Sequence, residues 1–276
     1  MNKYISIISL IMFIGGGRVF AQAQLGSDID GEAAYDESGY SVSINSDGDR
    51  VAIGAYLNDG TASDAGHVRV YEYSSSSWSQ LGSDINGEAA EDYSGISVSM
   101  NSAGDRVAIG AYKNDSPGNS GNSGHVRVYA YSGGSWSQLG SDIDGVATYD
   151  ESGFSVSMNS DGDRVAIGAP YNDDGGGNSG HVRVYAYSGD PLIWSQLGGD
   201  IDGDAGNDWS GVSVSMNSDG DRVAIGAPYN DGSGTDAGHV RVYEYSNSSW
   251  TQLGSDIDGE AAGDASGGSV SINSAG

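Results

Sequence analysis

The sequence predicts an all-β chain, a β-propeller of four-stranded antiparallel blades present here as an incomplete ring. Three observations carry this prediction. The frame Gln-Leu-Gly-x-Asp-Ile begins at Gln24, Gln80, Gln138, Gln196 and Gln252, at intervals of 56, 58, 58 and 56 residues. Each interval holds the same series of short segments that alternate polar and apolar residues, separated by Gly, Asp, Asn and Ser. No segment from Gln24 onward carries the 3.6-residue period of a helix. A constant step of this length is the mark of a repeat architecture, in which each unit leaves an apolar face that only its neighbour covers.

The third copy shows the elements in order. Ser155-Val156-Ser157-Met158 alternates, Asn159-Ser160-Asp161-Gly162-Asp163 turns the chain, and Arg164-Val165-Ala166-Ile167-Gly168-Ala169 resumes the alternation. Two such runs around Asp-Gly form a β-hairpin. A loop rich in Asn, Asp and Gly leads to a third strand, His181 to Tyr187, with its valines on one face and its His, Arg and Tyr on the other. Trp194-Ser195-Gln196-Leu197 supplies the fourth, before an acidic turn opens the next copy. Four antiparallel strands per unit in radial repetition make a propeller blade. A β-solenoid fits less well, because its coils have shorter periods.

These residues resemble the FG-GAP repeats of integrin α-subunit propellers and their bacterial relatives. The likeness lies in Ser152 to Ser157, Asp161-Gly162-Asp163, Val165 to Pro170 and Gly180 to Tyr185, and it recurs over residues 24–276. The family's Phe-Gly pair is Ser-Gly throughout, and the Gly-Ala-Pro of the later copies is Gly54-Ala55-Tyr56 and Gly110-Ala111-Tyr112 in the first two. The resemblance implies a closed ring of about seven blades, a secreted or cell-surface location in a bacterium, and a role in binding or adhesion. On this reading residues 24–79, 80–137, 138–195 and 196–251 are full repeats and residues 252–276 part of a fifth. Leu25 to Ile29 is expected as a lone fourth strand and Gly268 to Asn273 as a lone first strand, which makes the sequence a fragment of a longer protein.

Residues 1–23 have the form of a signal peptide: Lys3, an apolar run from Ile5 to Ile14, and Ala21-Gln22-Ala23 as a small-x-small cleavage site. The run is too short to span a bilayer, so no membrane span is expected in the mature chain. Loss of Lys3 and Arg18 with this leader would take the formal net charge from −27 to −29. Such a chain repels phosphate backbones, which excludes nucleic acid as a partner, and attracts cations. With no cysteine, stability must come from packing. The expected partner is an extracellular protein or glycan.

Two acidic motifs recur. Asn159-Ser160-Asp161-Gly162-Asp163 stands where calcium-binding members of the family carry a longer loop; calcium takes six to eight oxygens, and this loop is too short to wrap them. The second and fifth copies put Ala103 and Ala275 at the central Asp, so the motif reads as a hairpin turn. The other motif opens each unit. It comprises Asp28, Asp30 and Asp36; Asp84, Asn86 and Asp92; Asp142, Asp144 and Asp150; Asp200, Asp202 and Asp208; and Asp256, Asp258 and Asp264. Alternating Asp and Asn before a Gly suits calcium ligation, with calcium then the expected cofactor. It equally suits an ordinary turn in which Asp and Asn bond their own backbone, and both readings stand at this point.

The strand order places the inter-blade loops and the loops after the second strand on one face, which becomes the candidate binding face. His67, His125, His181 and His239 fall in different blades, so they cannot form one metal triad and are expected to be structural beside Arg69, Arg127, Arg183 and Arg241. Trp78, Trp136, Trp194 and Trp250 recur with the fourth strand and are expected to pack. Lys113, Pro117 to Ser120, Asp190 to Ile193 and Trp209 break the repeat, yet none supplies a nucleophile with a base. The chain is therefore expected to be a non-catalytic binding or adhesion module. The alternatives are a lectin, or part of a polysaccharide-acting propeller enzyme with its catalytic residues outside this sequence.

Overall fold

A computed structural model describes residues 24–115, 121–189 and 192–276. The expected leader (residues 1–23), the insertion Pro117 to Ser120 and Asp190-Pro191 lie outside the described residues. The described chain forms four antiparallel sheets and no helix. The first contains β1 (Ser41–Ile44), β2 (Arg50–Ala55), β3 (His67–Ser74), β4 (Ser77–Gln80) and β5 (Ile85–Asn86). The second contains β6 (Ser97–Met100), β7 (Arg106–Ala111), β8 (His125–Ser132), β9 (Ser135–Gln138) and β10 (Ile143–Asp144). The third contains β11 (Ser155–Met158), β12 (Arg164–Ala169), β13 (His181–Gly189), β14 (Leu192–Gln196) and β15 (Ile201–Asp202). The fourth contains β16 (Ser213–Met216), β17 (Arg222–Ala227), β18 (His239–Ser246), β19 (Ser249–Gln252) and β20 (Ile257–Asp258).

In each sheet the first three strands pair in sequence order, and the outer edge is shared by two pieces. Thus β14 pairs with the far half of β13, while β15 pairs with His181 and Val182 at its start. This corrects the reading of Asp-x-Asp-Gly as a turn. Ile143 and Ile201 are buried, and their segments pair with the strand beside them, so each is held extended as the second half of a broken outer strand. Neither terminal segment forms the lone strand expected of it. The last one docks instead through Ile272, whose N–H donates to Ser215 Oγ at 3.1 Å.

The core lies between sheets. Alternation along Arg164-Val165-Ala166-Ile167-Gly168-Ala169 puts Val165 and Ile167 on one face and Ala166 and Gly168 on the other. The large-residue face of each sheet packs on the small-residue face of the one before it. Val165, Ile167 and Met158 meet Ala108, Val126 and Val128, while Val223, Ile225 and Met216 meet Ala166, Val182 and Val184. Gly168 is required at this seam, because a Cβ there would overlap the Gly211 carbonyl of the next blade. The inner strands β1, β6, β11 and β16 contact one another in turn and so surround a common axis.

The Asn-Ser-Asp-Gly-Asp hairpins form one end of the propeller and clasp neighbouring blades. Within the hairpin, Asn159 Oδ1 accepts from the N–H groups of Asp163 (3.1 Å) and Arg164 (2.9 Å), and its Nδ2 donates to Asp163 Oδ1 at 2.8 Å. Between hairpins, the N–H groups of Ser46, Ser102, Ser160 and Ser218 donate to the carbonyls of Ser102, Ser160, Ser218 and Ser274. Arg106 and Arg164 each donate to the turn carbonyl of the next blade, Gly162 and Gly220, at 3.0 Å.

Candidate functional site

The opposite end collects the loops after β2, β7, β12 and β17 with the segments that join the blades. Asn58, Asn114, Asn172 and Asn230 each donate Nδ2 to Asp36, Asp92, Asp150 and Asp208, at 2.8, 3.1, 3.0 and 2.8 Å. All eight side chains are buried. Burial raises the Asp150 carboxyl above the ordinary carboxylate range, and its bond from Asn172 works against that shift. These four aspartates are thus spent on tying the segment that enters each blade to the loop after that blade's second strand. Asp264 caps the Ala261 N–H at 2.8 Å.

The other aspartates of the expected calcium motif are distributed differently. Asp28, Asp84, Asp142, Asp200 and Asp256 each accept from the Gln four residues earlier. Asp30 and Asn86 present their backbone carbonyls to Arg69 and Arg127. Asp144 pairs through its backbone with His125, as Asp202 does with His181 and Asp258 with His239. Among the described residues no cluster within ligand reach joins the Asp36, Asp92, Asp150, Asp208 or Asp264 position to the two acidic positions before it.

In four of the five copies, at Asp84, Asp142, Asp200 and Asp256, the first aspartate instead meets a histidine. Four clusters place potential ligand atoms within 4.8 Å of one another: Glu32, His67 and Asp84; Glu88, His125 and Asp142; Asp174, His181, Asp200 and Asp202; and His239, Asp256 and Asp258. The histidines are buried, and desolvation holds His125 and His181 down to about 4. They are therefore neutral imidazoles at neutral pH. Read from the sequence, the four histidines form one set around the ring. The signal that would find the clusters is that each His recurs with an Asp near the start of the next unit, a pairing local to one sheet. Each neighbouring Arg is engaged as well. Arg127 pairs with Glu88 at 2.9 Å, and Arg183 grips Asp200 through Nε at 2.8 Å and through Nη2. That grip keeps Asp200 below the ordinary carboxylate range.

Nearer the axis the same face carries an arc of aromatic rings. Tyr40, Tyr56, Tyr93, Tyr112 and Phe154 follow one another at centroid separations of 4.7, 5.7, 5.7 and 5.7 Å. Tyr171, Trp209 and Tyr229 continue it at 4.8 and 4.6 Å. The Lys113 ammonium sits 4.5 Å from the Tyr93 centroid. The half-buried Glu151, whose field also reaches Tyr112 and Tyr171, is pushed up to about 7 by burial, with Lys113 opposing the shift. Lys113 and Trp209, two of the sequence's departures from its own repeat, thus share this face. Inside the arc, a cavity of about 420 Å³ opens around the starts of the inner strands, lined by Tyr40, Ile96, Phe154 and Val212 among others. The recurrent Trp side chains serve packing: Trp194 Nε1 donates to the Leu139 carbonyl at 2.7 Å and its ring lies against Tyr187.

Residues 143–185, running from β10 through the start of β13, match the FG-GAP repeat family. The chain carries an FG-GAP repeat. Among solved structures it is similar to the periplasmic gluconolactonase PpgL of Pseudomonas aeruginosa, at 15% identity and a TM-score of 0.55, over 81% of this chain and 58% of that one. It is similar also to a putative 6-phosphogluconolactonase of Bacteroides uniformis, at 9% identity and a TM-score of 0.54, over 79% of this chain and 54% of that one. A third, a putative 6-phosphogluconolactonase of Bacteroides fragilis, aligns at 10% identity with a TM-score of 0.52, over 79% and 54%. The chain thus spans little more than half the length of each of these structures. No curated protein matches its sequence. At these identities the likeness establishes the β-propeller fold. It also corrects the expectation of a non-catalytic chain, because the similar rings are named as lactonases and the exclusion of catalysis does not stand. No helix among the described residues is long and apolar enough to cross a membrane.

Proposed function

We propose that this FG-GAP propeller is an exported bacterial protein that binds neutral carbohydrate on the face carrying the aromatic arc. The arc is the observation that carries the reading. Aromatic faces stack on the C–H surface of sugar rings, and the carboxylates and amides around them can accept and donate to hydroxyl groups. The formal net charge of −27 selects against anionic polysaccharides and favours uncharged ones. The Pseudomonas structure, named as a gluconolactonase, agrees in chemical class, since a gluconolactone is a sugar derivative. Titration of neutral oligosaccharides against tryptophan fluorescence tests the reading. Trp209 is the one tryptophan in the arc, and Trp209→Ala is expected to weaken binding at least tenfold. Wild-type affinity in that variant, or no fluorescence response across a panel of neutral oligosaccharides, would exclude the arc as a sugar platform.

A second reading rests on Glu151. A carboxyl that titrates near 7 is poised to act as a general base. Residues at the same place in the other copies are Glu37, Tyr93, Trp209 and Ala265, so the arrangement with Lys113 belongs to one point of the ring. Hydrolysis of glucono-δ-lactone above the spontaneous rate, abolished by Glu151→Gln, would establish it, and equal rates in the two proteins would remove it.

A further inference from the structure

We propose that Asp174, His181, Asp200 and Asp202 form a binding site for a divalent transition-metal ion of the zinc class, with His181 Nδ1 as its nitrogen ligand. Two independent observations converge there. The first is the gathering itself: one ligand atom from each of the four residues lies within 4.8 Å of the others. The second is an unmet demand. His181 is 3% exposed, yet its Nδ1 has no hydrogen-bond partner. Its nearest carboxylate, Asp174, lies at 4.0 Å, too far for a hydrogen bond. A buried ring nitrogen without a partner is costly, and a cation held between it and the carboxylates would satisfy both.

The distances suit a metal better than an ion pair. Zinc bonded to nitrogen and oxygen at about 2.1 Å in a tetrahedron sets its ligand atoms about 3.4 Å apart. The cluster needs only a short contraction to reach that spacing. Asp174, on the loop after β12, and Asp202 are exposed and free to make it. His181 and Asp200 are already fixed, the latter by Arg183 and by Gln196 Nε2 at 2.6 Å, which leaves Asp200 Oδ2 one further lone pair for a metal.

The third blade is singled out by its own sequence. Val146 stands where the other blade junctions have Glu32, Glu88 and Asp204. In those blades that carboxylate pairs with the Arg of the third strand. Here Arg183 turns to Asp200, and Asp174 supplies the additional carboxylate. Three carboxylates and one guanidinium leave two formal negative charges to meet a divalent cation. The first and fourth blades repeat the geometry with fewer ligands: His67 Nδ1 and His239 Nδ1 are likewise buried and unpartnered, 3.9 and 3.8 Å from Glu32 and Asp256. A nitrogen ligand favours zinc-class ions over calcium, which takes oxygen. Four protein ligands make a closed, structural site, here tying the β12–β13 loop to the outer strand.

Calorimetric titration of the chelator-treated protein with Zn²⁺, Mn²⁺ and Ca²⁺ tests the proposal, together with NMR observation of the His181 ring nitrogens. One site is expected to bind Zn²⁺ at least tenfold more tightly than Ca²⁺, with the His181 Nδ1 resonance shifted by the metal. Because His181 is buried and its replacement risks misfolding, the exposed ligands carry the mutational arm. Asp174→Asn and Asp202→Asn should each weaken Zn²⁺ at least tenfold, while Asp161→Asn, the same charge change at the far end of the blade, should not. No Zn²⁺ binding, equal affinities for Zn²⁺ and Ca²⁺, an unmoved His181 resonance, or wild-type affinity in Asp174→Asn would overturn it.

Discussion

The two ends of the propeller are built from the same repeats, yet they treat repetition in opposite ways. At the hairpin end each copy does the same thing: Asn45, Asn101, Asn159 and Asn217 make the same clasp, and Ser46 through Ser274 link one hairpin to the next. At the loop end one position reads Glu37, Tyr93, Glu151, Trp209 and Ala265, and another reads Glu32, Glu88, Val146, Asp204 and Glu260. Identical backbone supports different side chains there. Residues that hold blades together must repeat because every seam has the same shape. Residues at the loop end are free to differ, since they contact one another across a seam only where the aromatic arc or an Arg requires it.

The largest expected effect tests the shared frame. Gly168→Val places a branched side chain against the Gly211 carbonyl and Ser155 Oγ, where no room exists even for a Cβ. Overpacking of this kind ordinarily costs about 1–3 kcal/mol, and a clash with backbone raises that further, so this variant should unfold well below the wild-type temperature or fail to accumulate. A melting temperature within a few degrees of wild type would mean that the seam is looser than described.

The pH dependence sharpens the comparison, since it arises at the loop end. His125 and His181 are held down to about 4 by burial, so on acidification the unfolded chain takes up their protons first. Their contribution is intact above about pH 6.5 and is lost as pH falls toward 4, at about 1.4 kcal/mol for every tenfold difference in proton affinity between the folded and unfolded chain. Glu151 works the other way. Burial raises it to about 7, so between pH 7 and the usual carboxylate range the folded state holds the extra proton and gains stability. Urea unfolding from pH 7 to 5 should therefore be steeper in Glu151→Gln than in wild type, and shallower in His125→Gln. Parallel profiles in all three proteins would show that these groups are solvated in the fold.

The frame was legible in the sequence because it repeats: alternation and the fixed step located the strands, and the Asp-Gly turns located the hairpins. The site was less legible, for two physical reasons. Asp-Ile-Asp-Gly has the composition of a turn, but burial of Ile143 and pairing with Val126 hold it extended, and no local propensity reveals a tertiary demand of that kind. The expected set of Asp142, Asp144 and Asp150 presumed that residues close in sequence share a ligand. Asp150 turns inward to Asn172, twenty-two residues on, while Asp142 faces His125. The first meeting packs the segment entering a blade on the loop after that blade's second strand, and the second follows from the pairing of β10 with β8, so both are tertiary contacts that local sequence does not contain.

Breaking the clasp should cost an intermediate amount. Asn159→Ala strands the N–H groups of Asp163 and Arg164 at a side chain that is 3% exposed. An unsatisfied buried donor costs about 1–3 kcal/mol, and because the turn is partly exposed a total of about 2–4 kcal/mol is expected from urea unfolding. A loss under about 0.5 kcal/mol would mean that water replaces the side-chain oxygen.

The smallest effect comes two residues further along the same hairpin. Asp161 is exposed, and neither the Asn159 clasp nor the serine chain between blades uses its side chain. The second copy has Ala103 at the equivalent place and keeps both the Asn101 clasp and the Ser102 link. Removing the Asp161 carboxylate also relieves some repulsion in a chain of net charge −27, which offsets any lost turn preference. Asp161→Ala should therefore change unfolding free energy by no more than about 0.5 kcal/mol, with no dependence on added calcium. The ratio of the two effects in one turn carries the point: Asn159 is repeated because its oxygen closes the hairpin, whereas Asp161 is a place where the repeat tolerates drift. A calcium-dependent loss of stability in Asp161→Ala would reverse that assignment and make this hairpin a cation site.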